Sequence, residues 1–139
     1  MEKILPWFKL KSVPGIGNLL FKRLFEHFKS PDRVFTASEE EFLGVEGLTH
    51  RLITAIQTHK TPDWVRYELD QVDQNGFKIV TMADSEYPRL LLEIPDPPPF
   101  LYVHGDIGNS AKSISVVGSR KATRYGVSTT LRLCSDLAS

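Results

Sequence analysis

The stretch Ile114-Ser115-Val116-Val117-Gly118-Ser119-Arg120-Lys121-Ala122-Thr123-Arg124-Tyr125-Gly126 decides how this chain is read. A short β-branched run ends in Gly-Ser-Arg-Lys, and an amphipathic segment then runs to Ser139. That is the pattern of a buried strand, a phosphate-sized loop and a helix. Glycine at the carboxyl end of a strand lets the backbone come close to a ligand, and the N–H groups that open a helix are unpaired donors that favour anions. Arg120 and Lys121 add two positive charges, and a guanidinium at a strand's carboxyl end can grip a phosphate through two parallel bonds. The expected anion site is therefore Gly118, Ser119, Arg120, Lys121 and Thr123. The competing role for Arg120 is a salt bridge within its own domain. Tyr125 could stack a base or pack the helix on the sheet, and packing is the expectation.

The same loop excludes several enzymes. After Gly118 the next glycine is Gly126, so the dinucleotide fingerprint is missing, and no Gly-Lys-Ser/Thr forms a P-loop. Ser119 lacks the Gly-x-Ser-x-Gly elbow of a nucleophile. His27, His50, His59 and His104 show no metal-ligand spacing, and the lone Cys134 cannot complete a zinc site, so neither metal nor cofactor is expected. A single cysteine also suits a reducing compartment. With no signal-peptide pattern and no apolar run near the ~20 residues that span a bilayer, the expectation is a soluble cytoplasmic protein without a membrane partner.

Across its 139 residues the net charge is zero, yet unevenly spread. Residues 1–30 carry six Lys or Arg against two acids, residues 61–110 three against nine, and residues 112–139 five against one. Both ends can therefore meet a polyanion, while a uniformly basic surface is ruled out.

Outward from the loop, the amino-terminal part is helical. Leu20, Leu24 and Phe28 recur every four residues behind Val13-Pro14-Gly15-Ile16-Gly17. Two glycines around an isoleucine make a tight connection of helix-hairpin-helix type, which would present N–H groups to a phosphate. Gly15, Gly17, Lys22 and Arg23 are the candidates for a secondary, sequence-independent DNA contact; the alternative is a turn that only packs two helices. Ser30-Pro31-Asp32 starts a further helix, and Ser38 with Glu41 forms a capping box. Val45-Glu46-Gly47-Leu48-Thr49 repeats the hairpin in degraded form, with Glu46 set to repel phosphate and a structural role expected. Residues 1–60 thus read as one helical domain and 61–76 as a connecting helix with Val65, Leu69 and Val72 inward, Trp64 at its edge and a stop at Asn75-Gly76. Beyond it, Phe77–Met82, Phe100–Val103 and Ile114–Val117 are three candidate strands, separated by the stiff Pro95-Asp96-Pro97-Pro98-Pro99 link. The fold class expected is α+β or α/β.

Tyr87-Pro88 with Leu90-Leu91, Ile94-Pro95-Asp96-Pro97-Pro98, Leu101-Tyr102, Gly105, Val116-Val117-Gly118-Ser119-Arg120, Thr123 and Tyr125-Gly126 together resemble the DNA-processing protein A family, DprA or Smf. The resemblance implies a small helical, sterile-alpha-motif-like (SAM-like) domain with helix-hairpin-helix character, followed by an extended Rossmann-like domain beginning near residue 77 and incomplete at 139. It implies a non-enzymatic function: binding single-stranded DNA taken up in natural transformation (competence), protecting it and loading the RecA recombinase for DNA recombination, as a homodimer. In that family the Gly-Ser-Arg loop lines the DNA pocket, a role that falls on Gly118, Ser119 and Arg120. A family Rossmann domain continues through more strands, so DNA binding by this chain is expected to be weak or absent and residues 77–139 to be weakly stable or self-associating. Two other classes stay open: a Rossmann-type enzyme acting on a nucleotide phosphate, and a protein-interaction module in the helical domain.

Overall fold

The structure, a computed structural model, describes residues 2–107 and 114–137. By internal contacts the chain divides into two units, Met1–Gly108 and Asn109–Ser139.

The first unit is helical at its start. Helix α1 (Leu5–Lys11) takes Pro6 in its first turn, where a missing N–H costs nothing, and buries Trp7, Phe8 and Leu10. Helix α2 (Asn18–Phe28) buries Phe21, Leu24 and Phe28, while Leu20 is only partly covered. Leu24 and Phe28 of the expected Leu20-Leu24-Phe28 stripe are thus buried and Leu20 packs at the edge of the same core, while Phe21 joins them by stacking on Trp7 of α1 with centroids 5.6 Å apart. Helix α3 (Pro31–Thr36) begins after Ser30, whose backbone is extended but whose hydroxyl makes no capping bond. Glu41 does close its box, its carboxylate accepting the backbone N–H of Ser38 at 2.8 Å and its hydroxyl at 3.1 Å. These bonds hold the Glu41 carboxyl below its usual range. They close the start of a 3-10 turn (Glu40–Gly44), and helix α4 (His50–Thr58), which buries Ile53 and Ile56, follows. Helix α5 (Asp63–Gln74) turns Val65 and Leu69 inward and leaves Trp64 half exposed.

Two strands follow, β1 (Lys78–Thr81) and β2 (Phe100–Val103), with the single helical turn α6 (Arg89–Leu92) between them. They pair antiparallel with Lys78 opposite Val103 and Thr81 opposite Phe100. Phe8 of α1 stacks on Phe100 at 4.3 Å. The proline link leads into β2, and Tyr87, only 2% exposed, ties it down by donating its hydroxyl to the Pro98 carbonyl at 2.6 Å. Val80, Met82, Tyr87 and Val103 share one apolar core with Leu10, Phe21, Leu24 and Ile56. Helices and strand pair thus share one core, with Ile107 packed against it.

In the second unit, helix α7 (Arg124–Leu137) forms as expected, while residues 138 and 139 lie outside the described residues. The third expected strand is a correction. Ile114–Val117 is neither strand nor buried, with Ile114 70% and Val117 90% exposed. Among the described residues β1 and β2 pair only with each other, and an extended run becomes a strand only where a neighbouring backbone accepts its N–H groups. Mixed helix with a small antiparallel sheet makes the architecture α+β.

One histidine links the helices. Ser12 donates its hydroxyl to the Lys9 carbonyl at 2.8 Å and lies 2.8 Å from Nε2 of His59, which follows α4. Burial, helped by the Lys9 ammonium, pushes the His59 pKa below its ordinary 6.5. The unfolded chain therefore binds this proton more readily, so the stability contribution is complete above about pH 6.5 and is lost as pH falls toward the folded-state value. Urea midpoints taken between pH 7.5 and about 5 should fall, and His59→Gln should flatten that part of the profile; an equal fall in the variant would exclude His59 as its source.

Candidate nucleic-acid interface

At the first hairpin, Gly15 has φ +90°, a conformation that suits glycine, and a Cβ there would meet Leu52 Cδ2 of α4 at 2.7 Å. Gly17 precedes α2 with extended backbone and open space around it, and no side chain caps the helix. The second hairpin mirrors this thirty-two residues on. Gly47 has φ +88°, and a Cβ on it would meet Arg23 Nη1 at 2.9 Å and Leu20 Cδ2 at 3.2 Å. Each hairpin glycine thus faces the helix of the other half. The halves differ at the helix start: where Gly17 is bare, Thr49 accepts the N–H of Leu52 with its own hydroxyl at 3.3 Å.

The two basic candidates of this hairpin are engaged elsewhere. Lys22 Nζ donates to the carbonyls of Leu92 at 2.9 Å and Ile94 at 3.1 Å, at the carboxyl end of α6. Arg23 donates to the Glu46 carbonyl at 3.0 Å and pairs with its carboxylate at 3.0 Å. The expected negative charge at Glu46 thus neutralises a cation of the first half. Lys11, which the sequence did not single out, is nearer the helix opening: its ammonium donates to Asn18 Oδ1 at 2.6 Å, and burial lowers its pKa. Asn18 passes the connection on to the Asp96 carbonyl at 3.2 Å.

In the second unit, a groove of about 570 Å³ brings together Gly118, Ser119, Lys121 and Thr123 with Gly126, Val127, Thr130 and Leu131 of α7. Arg120 is exposed and outside that lining. Ser119 accepts the Lys121 N–H at 3.2 Å, closing a turn, and Thr123 caps α7 by accepting the Gly126 N–H at 3.1 Å. A Cβ on Gly118 would meet nothing within 4 Å, so the backbone there is approachable. Thr130 and Leu131 escaped the sequence reading, although residues 123, 126, 127, 130 and 131 follow the spacing of one helix face. Tyr125 is 79% exposed. Among the described residues no group of three His, Cys, Asp or Glu could hold a metal, and no helix is long and apolar enough to cross a membrane.

Residues 78–139 match the family described as DNA recombination-mediator protein A. The chain is similar to Protein Smf of Synechocystis sp., 32% identical over 125 residues, an alignment that covers 86% of this chain and 31% of that protein. A shorter stretch is similar to UvrABC system protein C of Chlamydia trachomatis serovar D, 53% identical over 47 residues, covering 34% of this chain and 8% of the relative. No solved structure gives a significant match. The chain spans about a third of the length of the Smf relative. With the Gly118 loop inside the matched region, the chain belongs to the DNA-processing protein A (DprA/Smf) family of DNA recombination mediators.

Proposed function

We propose that the chain serves a recombination mediator that binds single-stranded DNA, receiving the phosphate backbone at Gly118, Ser119, Arg120, Lys121 and Thr123. The observation that supports this most is the overlap of the family match on residues 78–139 with a groove that gathers a bare glycine, three hydroxyls and a lysine. Contacts to phosphates need exposed cations and donors and no base readout. Binding, protecting and handing on a strand needs no bond to be made or broken, so the function is not enzymatic. In this reading residues 1–60 are the helix-hairpin-helix, SAM-like domain, 61–76 the connecting helix and 77–139 the beginning of a Rossmann-like domain. RecA loading, the homodimer and the cytoplasmic setting belong to the same proposal and rest on the family. The first hairpin offers a secondary contact through Gly17 and the opening N–H groups of α2, with Lys22 and Arg23 contributing only if they leave their present partners.

The test is fluorescence anisotropy of a labelled oligo(dT) with the chain and its Arg120→Ala variant at about 20 mM salt, where phosphate contacts are least screened. Loss of a phosphate-gripping guanidinium should weaken binding by roughly 3- to 10-fold. Unchanged affinity removes Arg120 from the site, and saturable mononucleotide binding without oligonucleotide binding favours a nucleotide-phosphate enzyme.

A further inference from the structure

The two hairpin halves, aligned thirty-two residues apart, differ in charge. Lys9 corresponds to Glu41, Lys11 to Leu43, Pro14 to Glu46 and Gly17 to Thr49. The second half lacks what would let the first hold a phosphate, since Thr49 fills its own helix start and Glu46 sets a carboxylate there. It has an apolar groove of about 390 Å³ instead, with Val45 and Ile53 in its floor, Leu48 in its wall and Leu43 at its lip. Leu43 is 84% exposed, and the carboxylates of Glu39 and Glu40 rim the same groove, with the His50 ring 3.7 Å from Glu39.

We propose that this groove docks a segment of a partner protein that carries an apolar anchor flanked by Lys or Arg. Charge complementarity selects that occupant: carboxylates at the rim attract flanking cations and repel a phosphodiester or an acidic peptide. The volume suits one or two apolar side chains, and an exposed leucine beside buried ones extends the contact that an anchor makes. A duplicated module then divides its work, one half turned to an anion and the other to a basic peptide. This inference does not depend on DNA being held at the Gly118 loop.

The experiment follows backbone amide signals of the isotope-labelled chain during titration with a fourteen-residue amphipathic leucine–lysine peptide and with its leucine–glutamate counterpart. The leucine–lysine peptide should move the signals of Leu43, Leu48 and His50, and the leucine–glutamate peptide should leave them in place. Leu43→Ala and Glu40→Lys change exposed side chains, so each should keep the remaining spectrum and weaken the peptide by about fivefold or more. The proposal is overturned if neither peptide moves these signals, if both move them equally, or if the shifts fall outside this groove. Variants that bind like the unaltered chain, an oligonucleotide that moves the same signals, or movement on dilution of the chain alone, as for a groove covered by a second copy, overturn it too.

Discussion

Phe21→Ala should lower the unfolding free energy of the first unit by about 3–5 kcal/mol, the range for removing a buried phenylalanine. Phe21 is fully buried at the middle of α2 and stacks on Trp7, whose ring also lies 5.0 Å from Phe25. The core that would lose these contacts is shared by the helices and the strand pair, so the cavity cannot be closed by shifting one element alone. For a domain of this size the midpoint of thermal unfolding should drop by roughly 15–30 °C. Leu131→Ala, at a residue 67% exposed on α7, should change stability by no more than about 0.5 kcal/mol. A Phe21 variant that melted like the unaltered chain would mean that the helices do not pack through α2.

The second large effect is expected at Gly15. Valine there must adopt φ +90° with a β-branched side chain and push into Leu52 Cδ2, 2.7 Å from the position of its Cβ. Backbone strain of about 1–3 kcal/mol and a packing clash of about 1–3 kcal/mol act together, so Gly15→Val should lose about 3 kcal/mol or more. Gly17→Thr is the contrasting substitution, because its backbone is extended with nothing within 4 Å. It copies Thr49 into the first half and should keep stability within about 0.5 kcal/mol while filling the open helix start. Only the Gly17 variant is therefore suited to asking whether the first hairpin touches DNA. Chemical denaturation of the two variants checks the pair, and equal losses would contradict the assigned hairpin geometry.

Much of the helical part was legible because its signals are local. Glycines on either side of an isoleucine, a proline in a first turn and a serine three residues before a glutamate each fix a few backbone angles or bonds wherever the chain goes. Phe100–Val103 forms a strand over the expected residues for a similar reason: proline and glycine bound it on both sides. Where the reading failed, the deciding partner was remote. Ile114–Val117 has the composition of a strand, but composition cannot supply the neighbouring backbone that makes one. Lys22 and Arg23 look free on a helix face, yet Lys22 meets carbonyls seventy residues away and Arg23 meets the second hairpin. The same limit separates Phe21 from Leu20, since a four-residue stripe is compatible with either until Trp7 is placed beside it. At the Gly118 loop, residue types identified an approachable backbone and hydroxyls, while the helix face that completes the groove became clear only with α7 in place.

The most direct measurement of the phosphate-site assignment is the salt dependence of oligo(dT) binding by the chain and by a variant carrying Arg120→Ala and Lys121→Ala. Each phosphate contact to a single strand contributes about 0.7 to the slope of log affinity against log salt. If both side chains meet phosphates, the double variant should bind more weakly at low salt and lose about 1.4 from that slope. An unchanged slope, with unchanged affinity, would place the DNA somewhere other than the Gly118 loop.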